Sequence, residues 1–329
     1  MSNRYAENEL RPFMQDLFAE AANGTRVFLS HLTSTTHHPW GIPEDFEHVK
    51  YLSDQGGSDH KSLNDYLNTI KFVDNWLGEV MGLLDEAGIA NSTLVVIVGD
   101  HGQAFTEDNK DKTGTYENPH ISNFRVPLVF RHPHMPRIDI AANATSVSII
   151  PTILDLLVQS HSLDSRDTEI ASALLPEYQG QSLIRPFIPT AKGDPNQPLG
   201  PPFDEPPPPP DSHHDPPPGP PPHKPSDGSR SAWNFGLING GGSIVSVTAA
   251  DSPYRLILPL KDTFEYGFSH LGKDPGELHR MSGWTLDTLA SSVKSKHGEE
   301  AAEWVRLADR VGRWWVNEQI RIWGYSEKE

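Results

Sequence analysis

The sequence predicts an α/β fold built as a three-layer sandwich. Apolar runs rich in β-branched residues, at 27–33, 93–99 and 126–130, have the composition of buried strands. Patterns with helical periodicity lie between or after them, at 62–87 and 148–158. Alternation of strands and helices is typical of a mostly parallel sheet that is covered by helices.

The N-terminal elements predict the first sheet connection. Residues 6–23 have an amphipathic helical pattern and precede the 27–33 strand. The long helix at 62–87 has Ser62 as a suitable N-cap residue. Because this helix joins two strands, we expect 27–33 and 93–99 to pair in parallel through a right-handed crossover.

The composition changes sharply after residue 186. Eighteen of the chain's 30 prolines lie between 186 and 225. We therefore predict a catalytic-type α/β domain at 1–190, a proline-rich disordered linker at 191–230 and a C-terminal subdomain at 231–329. The linker could also bind a proline-reading module, although a solvated linker is the favoured interpretation. The subdomain should contain short antiparallel strands and a terminal helix whose tryptophans dock it.

Bulk composition limits the classes of function. A formal net charge of −17 argues against nucleic-acid binding. The sequence has no cysteine, which excludes disulfides, thiolate metal sites and a cysteine nucleophile within these residues. No apolar window is long enough to span a bilayer, and the first residues are polar. These features leave the localisation undetermined.

The segment Gly99-Asp100-His101-Gly102 is the most informative motif. It follows the 93–99 apolar run directly. Open α/β sheets bind ligands at the carboxyl ends of their strands. A carboxylate next to an imidazole suits a divalent metal such as zinc, manganese or calcium. The alternative is a polar turn with a surface histidine.

Further short motifs occur around this one in a fixed order. They are His37-His38-Pro39, Arg125-Val126-Pro127-Leu128, Pro151-Thr152-Ile153-Leu154-Asp155 and Asp274-Pro275-Gly276-Glu277. Together with Gly-Asp-His-Gly they resemble the sulfatase and alkaline-phosphatase superfamily. The resemblance is nearest to the branch of sulfatases, lipoteichoic-acid synthases and phosphoethanolamine transferases. It covers about 25–185 and 231–285.

The resemblance implies an alkaline-phosphatase-like sandwich with a small C-terminal antiparallel subdomain, and it implies roles for individual residues. Asp100 and His101 would be ligands of a divalent metal, which could be calcium, zinc or manganese. His37 would contact the sulfuryl or phosphoryl oxygens of the substrate or donate a proton. His120 would contact the substrate from the following loop, where Lys112 is a competing choice.

The resemblance also implies parts that have no counterpart in these residues. The family's first acidic strand is missing, and so is its Cys, Thr or Ser nucleophile. We therefore expect these residues to be the later portion of a catalytic domain, which would be inactive by itself and prone to aggregation. Its origin would be a truncated gene model, a processed fragment or a degenerate relative. The leading hypothesis is a sulfatase-like metal-dependent hydrolase of sulfate or phosphate esters. The alternatives are a phosphate head-group transferase and a non-catalytic binding protein.

Overall fold

The computed structural model describes residues 7–53, 60–107, 114–115, 117–188, 230–239 and 242–324. The chain divides into two compact units. Unit 1 consists of 1–99 and 127–138, and unit 2 consists of 100–126 and 139–329.

The described part of unit 1 contains two α-helices and two strands. Helix α1 spans Arg11–Ala22 and helix α2 spans Lys61–Glu86. Strand β1 spans Val95–Val98 and strand β2 spans Leu128–Arg131. Apolar side chains at helical spacing on α1 and α2 form the core of this unit. Its buried members are Met14, Phe18, Trp76, Leu83, Leu84 and Ile89.

The predicted parallel sheet of unit 1 is not formed in the described residues. Residues 25–34 have neither helix nor strand structure. Strand β1 pairs instead with β2 in the antiparallel direction, with Val95 opposite Arg131 and Val98 opposite Leu128. The strand composition of 93–99 and 126–130 was informative, but the expected partner at 27–33 was wrong. A strand's composition reflects its own environment, whereas its pairing depends on distant residues.

Unit 2 begins its helical part with α3, Ile149–Gln159, and α4, Ser165–Leu174. The polar residues of the Pro-Thr-Ile-Leu-Asp motif hold the segment after these helices. The Thr152 hydroxyl accepts a hydrogen bond from the backbone of Leu183 at 2.8 Å. The buried Asp155 carboxylate accepts two hydrogen bonds from Arg185, both at 2.7 Å. These contacts give the motif a structural part in this unit.

The remaining strands of unit 2 form one short pair and one larger sheet. Strands β3 (Phe187–Ile188) and β4 (Arg230–Ser231) pair in parallel. The larger sheet is antiparallel and has the order β5-β6-β7-β8-β9. Its strands are β5 Trp233–Leu237, β6 Ile244–Ala249, β7 Tyr254–Pro259, β8 Tyr266–His270 and β9 Met281–Gly283.

The terminal helical region covers one face of this sheet. It consists of α5, Leu286–His297, and α6, Glu299–Trp323. The two helices are separated by Gly298, whose φ of 93° is unfavourable for residues with a side chain. The predicted antiparallel subdomain with a terminal helix is therefore confirmed, with one break in the helix.

Trp304 and Trp315 in the terminal region pack as expected. Trp304 is buried and stacks on Trp233, and Trp315 stacks on Phe235 at a centroid distance of 4.8 Å. Trp323, at the end of α6, is mostly exposed, so the docking predicted for it is not observed.

The proline-rich stretch lies almost entirely outside the described residues, which end at 188 and resume at 230. The division into 1–190, 191–230 and 231–329 accordingly stays a prediction. Among the helices that the structure describes, none is both long and apolar enough to cross a membrane.

Candidate functional site

Asp100 and His101 lie together just after strand β1 in the chain. The Asp100 Oδ1 atom accepts a hydrogen bond from the His101 backbone at 2.9 Å. The second carboxylate oxygen of Asp100 lies 3.8 Å from His101 Nε2, and the side chains are 75% and 51% exposed. The two side chains predicted as metal ligands therefore face the same open space.

The orientation of the His101 ring fits a metal ligand. Its Nδ1 atom lies 2.7 Å from the Gly102 carbonyl oxygen. A carbonyl oxygen can only accept, so the hydrogen bond places a proton on Nδ1 and leaves the Nε2 lone pair available. In metal-bound histidines, the ring nitrogen that does not bind the metal commonly donates a hydrogen bond of this kind. One carboxylate and one imidazole fit a divalent ion without completing its coordination. No group of three or more His, Cys, Asp or Glu suited to a metal occurs in the described part of the chain.

Gly102 connects the Asp-His pair to the loop that carries His120. Its backbone N–H donates to the Asn123 carbonyl at 2.9 Å. A Cβ atom at position 102 would lie 1.8 Å from the Ser122 carbonyl oxygen, which is an impossible contact. Glycine is therefore required here because two backbone segments approach each other closely.

His120 is buried and both of its ring nitrogens have partners. Nε2 lies 2.9 Å from the Gly276 carbonyl oxygen, and Nδ1 lies 3.1 Å from the Ser122 hydroxyl. Its backbone N–H donates to the Asn118 side chain at 3.1 Å. In this arrangement His120 joins its loop to the Asp-Pro-Gly-Glu segment. Its catalytic role stays a prediction, since contact with a substrate requires the ring to exchange these partners.

Arg255 on strand β7 is the main residue that sequence reasoning missed. It is fully buried, and its Nη1 donates to both Glu277 carboxylate oxygens at 2.8 and 2.7 Å. The same nitrogen donates to the Pro119 carbonyl at 2.8 Å, and the guanidinium lies 4.5 Å from the centre of the Phe124 ring. Burial lowers the pKa of Arg255, and the charge and hydrogen bonds of Glu277 oppose that effect. Arg255 thus holds the backbone immediately before His120.

His37 belongs to unit 1, in a turn formed by 34–40. Its backbone N–H donates to the Ser34 carbonyl at 3.1 Å, and Trp40 donates to the His37 carbonyl at 3.2 Å. The ring Nδ1 lies 2.7 Å from the His38 carbonyl oxygen. The buried carboxylate of Glu7 binds the beginning of this turn. Glu7 was also missed, because its partners are 27 and 28 residues away in the sequence.

The predicted site residues are therefore distributed over both units. Asp100 and His101 are adjacent, and backbone contacts of Gly102 connect them to the loop of His120 within unit 2. His37 lies in unit 1. Lys112, the competing choice in the loop, lies outside the described residues.

Comparison with known proteins gives a family model and several relatives that agree with one another. The family model described as Sulfatase matches residues 2–160. Lipoteichoic acid synthase 1 of Bacillus subtilis is 24% identical over 154 residues, which is 44% of this chain and 23% of that protein. A sulfatase of Formosa agariphila is 33% identical over 99 residues, which is 29% of this chain and 18% of that protein.

A solved structure shows a weaker likeness over a longer stretch. It is a Bacteroides thetaiotaomicron protein, BT33494S-sulf, from work on glycosaminoglycan metabolism, at 18% identity and a TM-score of 0.43. The match covers 72% of this chain and 43% of that chain. The matched segments thus span about a fifth of the curated relatives and less than half of this solved structure.

Proposed function

We propose that the chain supplies metal and substrate ligands to a metal-dependent hydrolase of sulfate or phosphate esters, because the family model described as Sulfatase matches residues 2–160. The observation that carries this proposal is the Asp100–His101 pair. The two side chains are exposed and adjacent, and the His101 ring presents Nε2 for coordination. The family match makes a divalent ion, rather than a polar turn alone, the best explanation of this arrangement.

The residues have distinct roles in this proposal. Asp100 and His101 would hold a calcium, zinc or manganese ion, and such an ion would supply stabilisation of the negative charge on a sulfuryl or phosphoryl group. The family resemblance separately assigns His37 a contact with sulfuryl or phosphoryl oxygens of a substrate, or the donation of a proton to a leaving oxygen. The nucleophile has no candidate among the described side chains of this chain, so our proposal for the chain is limited to these ligand roles.

Metal binding tests the proposal directly. We expect Asp100→Asn and His101→Ala each to weaken binding of Zn²⁺, Mn²⁺ or Ca²⁺ by at least about tenfold, since each removes one of two protein ligands. The affinity is measured by isothermal titration calorimetry on the full chain, one metal at a time. Binding that is unchanged in both variants would contradict the assignment.

His279 provides a matched control. Its Nδ1 atom lies 3.8 Å from Asp274, and its side chain is exposed, so it repeats the Asp–His spacing outside the motif. We expect His279→Ala to leave the affinity unchanged. A loss equal to that of His101→Ala would indicate nonspecific binding to surface histidines.

A second function, transfer of a phosphate-bearing head group, is favoured by one comparison. The stretch matched to lipoteichoic acid synthase 1 is 154 residues long, against 99 for the Formosa agariphila sulfatase. Because the chain is expected to be inactive by itself, binding rather than turnover separates the two, measured by calorimetric titration in the presence of metal with inorganic sulfate and with glycerol phosphate. Tighter binding of glycerol phosphate would support the transferase, and tighter binding of sulfate would support the sulfatase.

A further inference from the structure

Both carboxylate oxygens of Glu7 accept hydrogen bonds from the turn that carries His37. Its side chain is buried, with 4% of the residue exposed. One carboxylate oxygen accepts from the Ser34 backbone N–H at 2.7 Å and from the Thr35 backbone N–H at 2.8 Å. The other accepts from the Thr35 hydroxyl in a short contact. Hydrogen bonds to an ionised acceptor are stronger than those between neutral groups.

These bonds hold the first residues of the turn that carries His37. Ser34 accepts the hydrogen bond from the His37 backbone, so the position of Ser34 sets the direction in which the chain enters the turn. Thr35 is itself buried at 5% exposure. Glu7 therefore acts on His37 through two residues whose backbone N–H groups it binds.

The charge state of Glu7 agrees with this arrangement. Burial by itself raises the pKa of Glu7, but the hydrogen bonds from Thr35 and Ser34 bring the pKa below its ordinary value. The carboxylate is consequently ionised at neutral pH. Without Glu7, the backbone N–H and the hydroxyl of Thr35 would be buried without an acceptor. A buried donor without an acceptor destabilises the folded state.

We propose that Glu7 is a positioning residue that fixes the His37 turn for contact with a sulfuryl or phosphoryl group. The inference rests on the role of His37 in the proposed function. Glu7 does not touch the substrate in this proposal. It acts through Ser34 and Thr35, so its removal changes the orientation of the His37 ring and the affinity for the anionic group together.

The test compares Glu7→Ala and Glu7→Gln with Glu9→Ala in the full chain. Glu9 is exposed and lies two residues away, so it is a matched control for the loss of one negative charge. The first readout is the NMR signature of the His37 ring. His31 is the internal reference, because it belongs to the same unit and accepts a hydrogen bond from the buried Trp76 at 3.0 Å.

We expect Glu7→Ala to shift the His37 signals and to leave those of His31 and Trp76 in place. Glu7→Gln should restore most of the wild-type signature, because its carbonyl oxygen can still accept from the two backbone N–H groups. Glu9→Ala should have no effect. Unchanged His37 signals in Glu7→Ala would overturn the proposal, and so would equal shifts of His31, which would show a general loss of structure.

Titration with inorganic phosphate and inorganic sulfate is the second readout. We expect the wild-type His37 signals to respond to one of these anions, and Glu7→Ala to weaken that response by at least about tenfold, as loss of charge-assisted bonds implies. Tighter binding in Glu7→Ala would overturn the proposal, because Glu7 would then be occupying an anion site. If His37 responds to neither anion in the wild-type chain, the proposed function of His37 fails, while the ring signature still decides whether Glu7 positions it.

Discussion

The ion pair between Arg255 and Glu277 illustrates how single residues stabilise the candidate site. Both side chains are almost fully buried and in direct contact. We predict that Glu277→Ala lowers the free energy of unfolding by about 3–5 kcal/mol, because it leaves a buried charge without its partner. Urea denaturation followed by circular dichroism measures this loss.

An exposed ion pair in the same unit is the control for that prediction. Arg306 Nη1 lies 2.7 Å from Asp287 Oδ1, and the two side chains are 43% and 84% exposed. We expect Asp287→Ala to change the free energy of unfolding by less than about 1 kcal/mol. Equal losses in the two variants would mean that burial does not decide the strength of the Arg255 interaction.

The residues that could be predicted from the sequence are those whose partners are near in the chain. Asp100 and His101 are adjacent, so their shared position after a strand was readable from one motif. Arg255 and Glu7 were not recognised, because the carboxylate partner of Arg255 lies 22 residues away and the backbone partners of Glu7 lie 27 and 28 residues away. A buried arginine in an otherwise apolar strand, together with the Asp-Pro-Gly-Glu segment, is the one signal that could have suggested the Arg255 pair.

At the scale of elements, helices were predicted more accurately than strand partners. The pattern at 62–87 agrees with helix α2, Lys61–Glu86, because helical periodicity is a local property. The pattern at 148–158 agrees equally well with helix α3, Ile149–Gln159. The parallel partner of β1 was wrong, since register and direction depend on residues far along the chain.

Helix α5 and strand β8 carry a pair of histidines with an expected pH dependence. The rings of His270 and His297 have centroids 5.4 Å apart, and the Nδ1 atom of each is buried without a hydrogen-bond partner in the described structure. Burial lowers the pKa of both, and Lys273 lowers both further. For His297, the His270 ring and Lys296 also contribute. The folded chain thus favours the neutral rings.

The two histidines have a lower pKa in the folded chain than in the unfolded chain, which sets the direction of the pH effect. The unfolded chain takes up protons on these histidines near their ordinary pKa of 6.5, whereas the folded chain resists protonation until lower pH. We predict that the contribution of the pair is complete above this value and is lost progressively as the pH falls below it. The melting temperature should decrease as the pH is lowered from about 7.5 to about 5.5. This decrease should be smaller in a His270→Gln, His297→Gln double variant.

The buried carboxylates do not lower the melting temperature in the pH range in which the two histidines do. The pKa values of Glu7 and Asp155 lie below their ordinary values of 4.5 and 3.8, so their contributions are lost only at more acid pH. Burial raises the pKa of each, and hydrogen bonds from Thr35 to Glu7 and from Arg185 to Asp155 outweigh it. A melting temperature that does not depend on pH down to about 5.5 would show that the histidine pair is accessible to protons in the folded chain.

At the scale of the whole molecule, the two compact units have separate apolar cores of different size. Among the described residues, the core of unit 1 has six buried residues and the main core of unit 2 has 13. Unit 1 also leaves large apolar side chains in solvent, with Phe28 77% and Leu32 82% exposed. Exposed apolar residues of this size favour association with other surfaces. The expected tendency of the chain to aggregate stays a prediction, and unit 1 is the region where we expect it to begin.

Because the cores are separate, we predict that the units unfold in two steps, unit 1 first. Hydrogen exchange measured by mass spectrometry in increasing urea should show α2 opening at lower urea than β6 and β7. Leu83→Ala in unit 1 should shift only the first step, and Leu258→Ala in unit 2 only the second, each by about 2–5 kcal/mol, since both residues are buried. If either variant shifted both steps equally, the chain would unfold as one cooperative body, and the separate cores would not define separate units of stability.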